Sequence, residues 1–433
     1  MRRRIRRDRM EPRIPAALLS YGFRPFFLAA AIWAAIAVAI WIAMLTTGLV
    51  LPTRFDPLDW HIHEMLFGFV PAAVAGFLLT AISQWTGRRP VSGGLLGLLF
   101  GLWLLGRIDV LTCDALPVWL AIAADIAFPF ALAAIVAREI IAARNRRNYP
   151  MIAPVVVLGL AQLMMDLGAI GGIGWLMGYG WRLGLVLTLV LISVVGGRII
   201  PAFTRTWLMS RGAVRLPRPA GLLDRMSLGV LHAALLAWVF FPTAHATGVA
   251  LLAAAALNLW RLLRWRGAAT RSETLLLVLH VGFAWLILGV AALGFATLDS
   301  AFPLDAAIHS LTVGAIGTMT LAVMTRVSRG HTGRALAADG PTLLIYALII
   351  LAACARIAAA LAGEATDLLV LAATLWVAAF GLFAIRYAPL LLRPRSAGNS
   401  TQATAAPARF GQTGIATSRA PADSSQSAAR GAH

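Results

Sequence analysis

Two histidines with matched surroundings are the strongest candidates for chemistry in this sequence. His63 and His309 each begin the pattern H-x4-G-x17-T-G-R, which occurs twice. Each histidine precedes its T-G-R by about 23 residues, or roughly 34 Å of helix, so two parallel helices are expected to hold them at one depth. Imidazoles on facing helices can share an ion or bind opposite faces of a haem. The alternative is two interfacial histidines that hydrogen-bond to neighbouring groups.

Four more histidines extend the set of candidate ligands. His61 lies about 200° around the helix from His63, so we expect it to face another site or solvent. His245 follows the seventh helix on the same side of the membrane and could join this outer group. His232 and His280 each stand a few residues inside the cytoplasmic end of a helix, at a second depth. A buried ionisable group is a functional candidate because its burial is costly, although a neutral histidine bonded to a backbone carbonyl explains it equally well.

Charged residues next to these histidines could support a ligand. Glu64, with Asp59 and Met65 close by in sequence, adds oxygen and sulfur donors that could suit copper. A second group lies at the inner ends of the helices, where cations suit an anion or a haem propionate. Its members are Arg88, Arg198, Arg326, His331 and Arg334.

Three charges fall within apolar segments, namely Asp125, Asp166 and Arg356. Asp166 and Arg356 both lie in the outer third of their helices, which favours an ion pair that neutralises each. Alternatively, Asp125, Gln162 and Asp166 could mark a path for protons.

The elements that position these residues are transmembrane helices. The chain has 433 residues, of which 60% are hydrophobic and 13% charged, with a mean hydropathy of +0.81. A soluble protein carries about 25% charged residues, so the sequence indicates an integral membrane protein of the all-α class. Apolar runs long enough to cross a bilayer predict twelve helices. They are expected at 26–50, 61–82, 91–107, 115–137, 151–170, 181–201, 227–243, 247–263, 274–296, 305–326, 341–361 and 366–388.

The arginines orient these helices. All 37 basic residues are arginines, and most fall in alternate loops and at both ends of the chain. By the positive-inside rule, both termini are expected in the cytoplasm. The net charge of +19 therefore reflects topology and lipid contact, and it does not indicate nucleic-acid binding.

Composition divides the chain into three parts and limits cysteine chemistry. Residues 1–24 are predicted to form a basic cytoplasmic arm, residues 25–390 the transmembrane domain, and residues 391–433 a disordered cytoplasmic tail. The two cysteines are too few for a disulfide framework or a thiolate metal site.

Several longer motifs carry a resemblance to a known family. The sequence resembles the NnrS family of bacterial membrane proteins over essentially the whole predicted membrane region. The motifs are G-F-R-P-F-F from Gly22, W-H-I-H-E-M from Trp60, F-L-L-T-A from Phe77, W-T-G-R from Trp85, G-R-I-I-P-A-F-T from Gly197, His309 with Gly314 and Gly317, and G-H-T-G-R from Gly330.

The resemblance implies binding of haem and copper and a role in nitric oxide tolerance or denitrification. It assigns no ligand, so the sites rest on depth and spacing. We expect a haem between His63 and His309, with copper or a second haem drawn from His61, His245, His232 and His280. Redox activity on nitric oxide is one hypothesis. An anion transporter for a nitrite-like substrate, with arginines at its inner mouth, and a nitric oxide sensor without turnover are the alternatives.

Overall fold

The computed structural model describes residues 17–394, which contain helices and no strand. Twelve helices are long and apolar enough to cross a membrane, which confirms the predicted fold class. We number them α1 to α12 in chain order: Phe23–Thr47, Pro57–Thr86, Gly93–Ala115, Val118–Ala142, Arg146–Ala169, Trp175–Ser210, Leu222–Phe240, His245–Leu263, Thr274–Leu298, Leu304–His331, Gly340–Leu361 and Thr366–Leu392.

Most of the predicted arm and nearly all of the predicted tail lie outside the described residues. Residues 1–16 and 395–433 are not described, and the cytoplasmic position of the termini stays a prediction. Within the described part, the first helix begins at Phe23 and the last ends at Leu392, close to the predicted limits of 25 and 390.

One boundary of α3 differs from the expectation in a way that matters for the site. The sequence prediction ended this helix at residue 107 and left Asp109 in an outer loop, but the helix continues through Thr112. Both Arg107 and Asp109 are buried. An arginine can lie inside a membrane helix when neighbouring carboxylates compensate its charge, and such partners are present on α2 and α4.

The helices pack mainly against their neighbours in sequence, and α12 packs against α1 to close the set. Of the spans, α2 and α10 are the most enclosed, because 72% and 67% of their most apolar 18-residue segments are buried inside the protein. These two helices also contact α6 and each other. The two helices with the repeated histidine motif are therefore the central ones, where a site would be shielded from lipid.

Both motif helices contain a π-helical segment directly after the histidine. The segment is Glu64–Phe69 in α2 and Ser310–Gly317 in α10. The sequence match also extends upstream, because P-L-D-x2-I-H-x4-G begins at Pro57 and again at Pro303. A π segment inserts a residue into a helix and is frequent at functional sites. The shared irregularity supports a duplicated element.

The two T-G-R motifs end their helices in the same way. Gly87 and Gly333 have φ values of 68° and 77°, the left-handed conformation that glycine adopts at helix C-termini. Each motif therefore spans one helix, from a histidine near one end to a glycine cap at the other.

A close contact of α2 with α1 depends on a second glycine. A Cβ at Gly76 would lie 2.6 Å from a ring carbon of Phe27 and 3.2 Å from Cβ of Phe26. Both phenylalanines are fully buried, so neither ring has free space to move into.

We expect Gly76→Ala to overpack this contact at a cost of about 1–3 kcal/mol. Its apparent melting temperature in detergent should fall below that of the wild type. Gly101→Ala is the matched control, because Gly101 is exposed on α3 with no atom within 4 Å of an added Cβ. Equal melting temperatures for the two variants would contradict the packing assignment.

Asp339 caps α11 and joins three helix ends. Its carboxylate accepts bonds from the backbone N–H and hydroxyl of Thr342 and from the guanidinium groups of Arg386 (2.5 Å) and Arg329 (3.3 Å). Partial burial raises the pKa of Asp339, but the bonds from Thr342 and the two arginines lower it more, so it lies well below its ordinary value.

A lowered pKa in the folded state stabilises the protein above the unfolded pKa of about 4, and the stabilisation is lost as the pH falls below it. Asp339→Asn should therefore melt below wild type at pH 7, and the difference should shrink below about pH 4. Thermal melts in detergent across this range test it. Asp56→Asn is the control, since Asp56 precedes α2 without a capping side-chain bond. A difference that is constant with pH would refute the prediction.

Candidate functional site

His63 lies at the centre of a cluster of carboxylates inside the helix bundle. Its side chain is fully buried and faces α4 and α5. Nδ1 is 3.0 Å from Oε1 of Glu64, while Nε2 is 2.8 Å from Oδ2 of Asp125 and 3.1 Å from Oδ1 of Asp166. One imidazole thus contacts three buried acidic side chains that belong to three different helices.

Arg107 of α3 compensates part of this negative charge. One guanidinium nitrogen contacts Oε1 of Glu64, and the other lies 2.6 Å from Oδ1 of Asp125. Trp33 of α1 donates its indole N–H to the other oxygen of Glu64 at 2.6 Å. The amide of Gln162 on α5 donates to Oδ2 of Asp125 at 2.7 Å. The cluster therefore joins the first five helices through polar contacts.

The glycine of the first motif gives this cluster its space. A Cβ at Gly68 would lie 2.6 Å from Arg107, 2.7 Å from Glu64 and 2.8 Å from Trp33. The carbonyl of Gly68 accepts the indole N–H of Trp103 at 2.9 Å. Any larger residue would separate the arginine from the glutamate, which explains a glycine at this spacing from His63.

A second group of imidazoles forms on the opposite side of α2. His61 and His309 lie near each other and near the guanidinium of Arg356 on α11. His61 stacks on Trp41 of α1, with ring centroids 4.7 Å apart and an interplanar angle of 15°. Because His61 and His63 point to different sides of α2, the structure groups His309 with His61, and His63 with the acids.

Each histidine of this second group has a ring nitrogen that can bind a ligand. Nδ1 of His309 is 2.8 Å from the carbonyl oxygen of Asp305 and must carry the hydrogen, because a carbonyl only accepts. The lone pair of His309 is then on Nε2, the arrangement usual in histidines that bind metals. Nδ1 of His61 is buried and has no hydrogen-bond partner.

The two motif histidines have corresponding surroundings. Gly68 packs against Trp33 of the preceding helix, and a Cβ at Gly314 would lie 2.8 Å from Trp285 of its preceding helix. The following helix supplies an arginine in both cases, Arg107 beside the His63 cluster and Arg356 beside His309. The duplicated element therefore includes the helices on either side of the motif.

The ion pair predicted between Asp166 and Arg356 does not form. Arg356 pairs with Glu364, with an N–O distance of 3.1 Å. Asp166 is on α5, which packs against α4 and α6, whereas α11 packs against α10 and α12. The other hypothesis fits better, since Asp125, Gln162 and Asp166 share one cluster.

His232 and His280 contact two positions that lie far apart along α6. Nε2 of His232 lies 2.7 Å from the hydroxyl of Ser193, and Nε2 of His280 lies 2.9 Å from that of Thr204. These two α6 residues are separated by about 16 Å of helix rise, so the imidazoles do not converge as their predicted common depth suggested. His245 is exposed at the start of α8, which packs against α7 and α9 rather than α2.

The residues predicted to contact an anion or a propionate do not form one group. Arg88 pairs with Glu139 at 2.7 Å, and the guanidinium of Arg326 lies 4.3 Å from the ring centroid of Phe203. His331 contacts aromatic rings at the N-terminal end of α1. Arg198 and Arg334 are exposed. None of these residues belongs to either histidine group, so a propionate or anion role for them stays a prediction.

Two members of the acidic cluster were absent from the sequence-based candidates, Arg107 and Trp33. Arg107 stood at the predicted end of α3, where an outer loop was expected. A clue was available, because the apolar run resumes after Asp109 with Val110 and Leu111. Nothing in the sequence distinguishes Trp33 from the other tryptophans.

The part of the chain that contains the described helices matches a known protein family. The model of the family described as NnrS protein matches residues 17–395 of the chain. None of the curated proteins matches the chain significantly.

Arg107→Gln should destabilise the protein strongly, by about 3–5 kcal/mol, because it leaves buried carboxylates without their cation. Arg107→Lys should fall between this variant and wild type, since an ammonium cannot bridge two carboxylates as a guanidinium does. Yield of folded protein and melting temperature in detergent measure the effect. Arg198→Gln, at an exposed position, should behave as wild type. An Arg107→Gln protein as stable as this control would disprove the compensating role.

Proposed function

This chain belongs to the NnrS family, and from that premise we propose that it binds haem and copper in the bacterial inner membrane and acts in nitric oxide tolerance. Family membership is consistent with a multi-pass membrane protein related to nitric oxide. The observation that carries the proposal is the proximity of two imidazoles from the central helices, His61 of α2 and His309 of α10, each with a ring nitrogen that makes no hydrogen bond within the protein.

Three features support a haem at this pair. The lone pair of His309 Nε2 is oriented by the bond from Nδ1 to the Asp305 carbonyl. Nδ1 of His61 is buried without a partner, and a buried unpaired nitrogen is destabilising unless a ligand engages it. Arg356 adds a positive charge beside both rings, which suits a propionate. The donors therefore fit the group.

His63 is the less suitable partner for His309, although the sequence pattern favoured it. Both of its nitrogens already lie within 3.1 Å of carboxylate oxygens. Haem binding there would separate the imidazole from the three carboxylates that surround it. The proposed site thus keeps helices α2 and α10 but replaces His63 with the histidine two residues earlier.

When bound, haem iron supplies a centre for nitric oxide binding or one-electron exchange. The protein's own residues hold and orient the imidazoles. Trp41 fixes the ring plane of His61 by stacking, and the Asp305 carbonyl fixes the tautomer of His309. Arg356, paired with Glu364, keeps a cation near the site.

An apolar cavity lies further along α2 and α10 and suits an uncharged diatomic gas. It has a volume of about 100 Å³ and is bounded by α1, α2, α6 and α10. Its lining includes Val70, Phe77, Ile192, Ile316 and Met319. Pockets for drug-sized ligands start at about 300 Å³, so the cavity fits a small gas better than a haem. The cavity is therefore large enough for nitric oxide.

Few histidine nitrogens among the described residues remain available for copper. The imidazoles of His61 and His309 are ligands that copper also accepts, so the two groups would compete for one pair. His280 has a buried Nδ1 without a hydrogen-bond partner. A Cβ at Gly267 would lie only 2.8 Å from this nitrogen, so the loop backbone leaves little room for a metal. The outer pair is therefore the better copper candidate as well.

Purified protein should show a Soret band, and His61→Ala and His309→Ala should each abolish or shift it because each removes one of the two imidazoles proposed to hold the haem. Absorption spectra with iron and copper analysis of the same samples test this. His245→Ala is the control and should keep the wild-type spectrum, since His245 is exposed on a helix remote from α2 and α10.

Two results would argue against the assignment. Wild-type protein without haem or copper would remove the basis of the proposed function. A Soret band that survives His61→Ala but is lost in a folded His63→Gln variant would restore the pair expected from the sequence.

A further inference from the structure

We propose that His63, Asp125 and Asp166 form a binding site for a divalent cation within the membrane domain. This site is distinct from the His61 and His309 pair and does not depend on the haem. One ligand atom from each of the three residues lies within 4.8 Å of the other two. All three side chains are buried, with exposed fractions of 0%, 2% and 1%.

The site contains polar atoms that no donor in the protein satisfies. Nε2 of His63 lies near both aspartates, but neither contact has the alignment of a hydrogen bond, and Nε2 has no other partner. Both oxygens of Asp166 are also buried without a hydrogen-bond donor. Because almost all buried polar groups in proteins are bonded, three unsatisfied atoms this close together favour a cation between them.

The balance of charge leads to the same conclusion. Glu64, Asp125 and Asp166 supply three carboxyl groups, and Arg107 is the one arginine that contacts them among the described residues. If all three are ionised and His63 is neutral, two negative charges remain without compensation at membrane depth. A proton on His63 would remove one of them, whereas a dication would remove both.

The donor set defines the class of cation. One imidazole and two carboxylates suit Zn²⁺, Mn²⁺ or Fe²⁺ better than Cu⁺, which prefers sulfur. Bonds of about 2.0–2.1 Å in a tetrahedral site require donors about 3.3 Å apart. The observed contacts of 2.8 and 3.1 Å need to widen by only a few tenths of an ångström. Three protein ligands would leave a coordination position open.

Neighbouring residues hold the ligands in a suitable orientation. Nδ1 of His63 is hydrogen-bonded to Glu64, which places the lone pair on Nε2 facing the aspartates. Gln162 donates to the carboxylate of Asp125, and Arg107 contacts both Asp125 and Glu64. Such outer contacts fix the tautomer and orientation of ligands at metal sites.

The duplicated element carries this site in only one of its copies. The residue that corresponds to Glu64 after His309 is Ser310, and His309 bonds to a backbone carbonyl instead of a carboxylate. A change at His309 should thus remove the haem pair and leave the cation site unaffected. This difference separates the two proposals experimentally.

Full-length protein in detergent, treated with a chelator and then titrated with Zn²⁺ by calorimetry, should bind one equivalent at this site. Asp166→Asn keeps the shape of the side chain but removes its charge, and we expect at least a tenfold loss of affinity. Asp224→Asn is the matched control, because Asp224 is a buried carboxylate paired with Arg261 elsewhere. Both this control and His309→Ala should retain the wild-type affinity.

Wild-type protein loaded with Mn²⁺ provides a test that does not require a folded variant. Pulsed electron paramagnetic resonance should detect one coordinating imidazole nitrogen. The proposal is overturned if wild type binds no Zn²⁺, if Asp166→Asn binds as tightly as wild type, or if Mn²⁺ shows no imidazole coupling. In those cases the cluster holds protons. Loss of haem in His309→Ala with normal Zn²⁺ binding would support both sites independently.

Discussion

The contact of Arg107 with Glu64 and Asp125 is the interaction on which the first half of the membrane domain depends. Three buried carboxylates would be too costly inside an apolar bundle without it. Its geometry constrains the neighbouring helices, since Gly68 must lack a side chain and Trp33 must direct its indole N–H at the glutamate. The π segment after His63 belongs to the same arrangement, because it changes which residues of α2 face α3 and α4.

The duplicated element shows how one scaffold can hold two kinds of site. Both copies have a histidine before a π segment, a glycine that receives a tryptophan, and an arginine from the following helix. Only the first copy adds acids around its histidine, so its surroundings are strongly negative. In the second copy, His309 lies near His61 and Arg356 without a carboxylate in direct contact among the described residues. The first environment favours a cation, and the second favours a ligand with a negative group.

The amino-acid sequence was sufficient for the helices and their central pair, but not for the partners of each histidine. Apolar length defines a span regardless of its neighbours, so the twelve helices were predictable. The spacing of His61 and His63 along the helix also predicted that they point to different sides of it. It could not show which neighbouring helix each ring meets, so His63 was matched with His309. Arg107 was misplaced for a related reason, because its charge resembles a helix end until the carboxylates that compensate it are known.

The position of His61 and His63 on one turn of α2 links the two sites mechanically. The turn is held from one side by the stacking of His61 on Trp41 and from the other by the contacts of His63 with Asp125 and Asp166. A rotation of this turn cannot move one imidazole without moving the other. Because a π segment follows immediately, the turn is joined to the rest of α2 by the least regular part of the helix. His61 and His63 therefore depend on the same turn of α2, and a change in its conformation would alter the geometry of both sites.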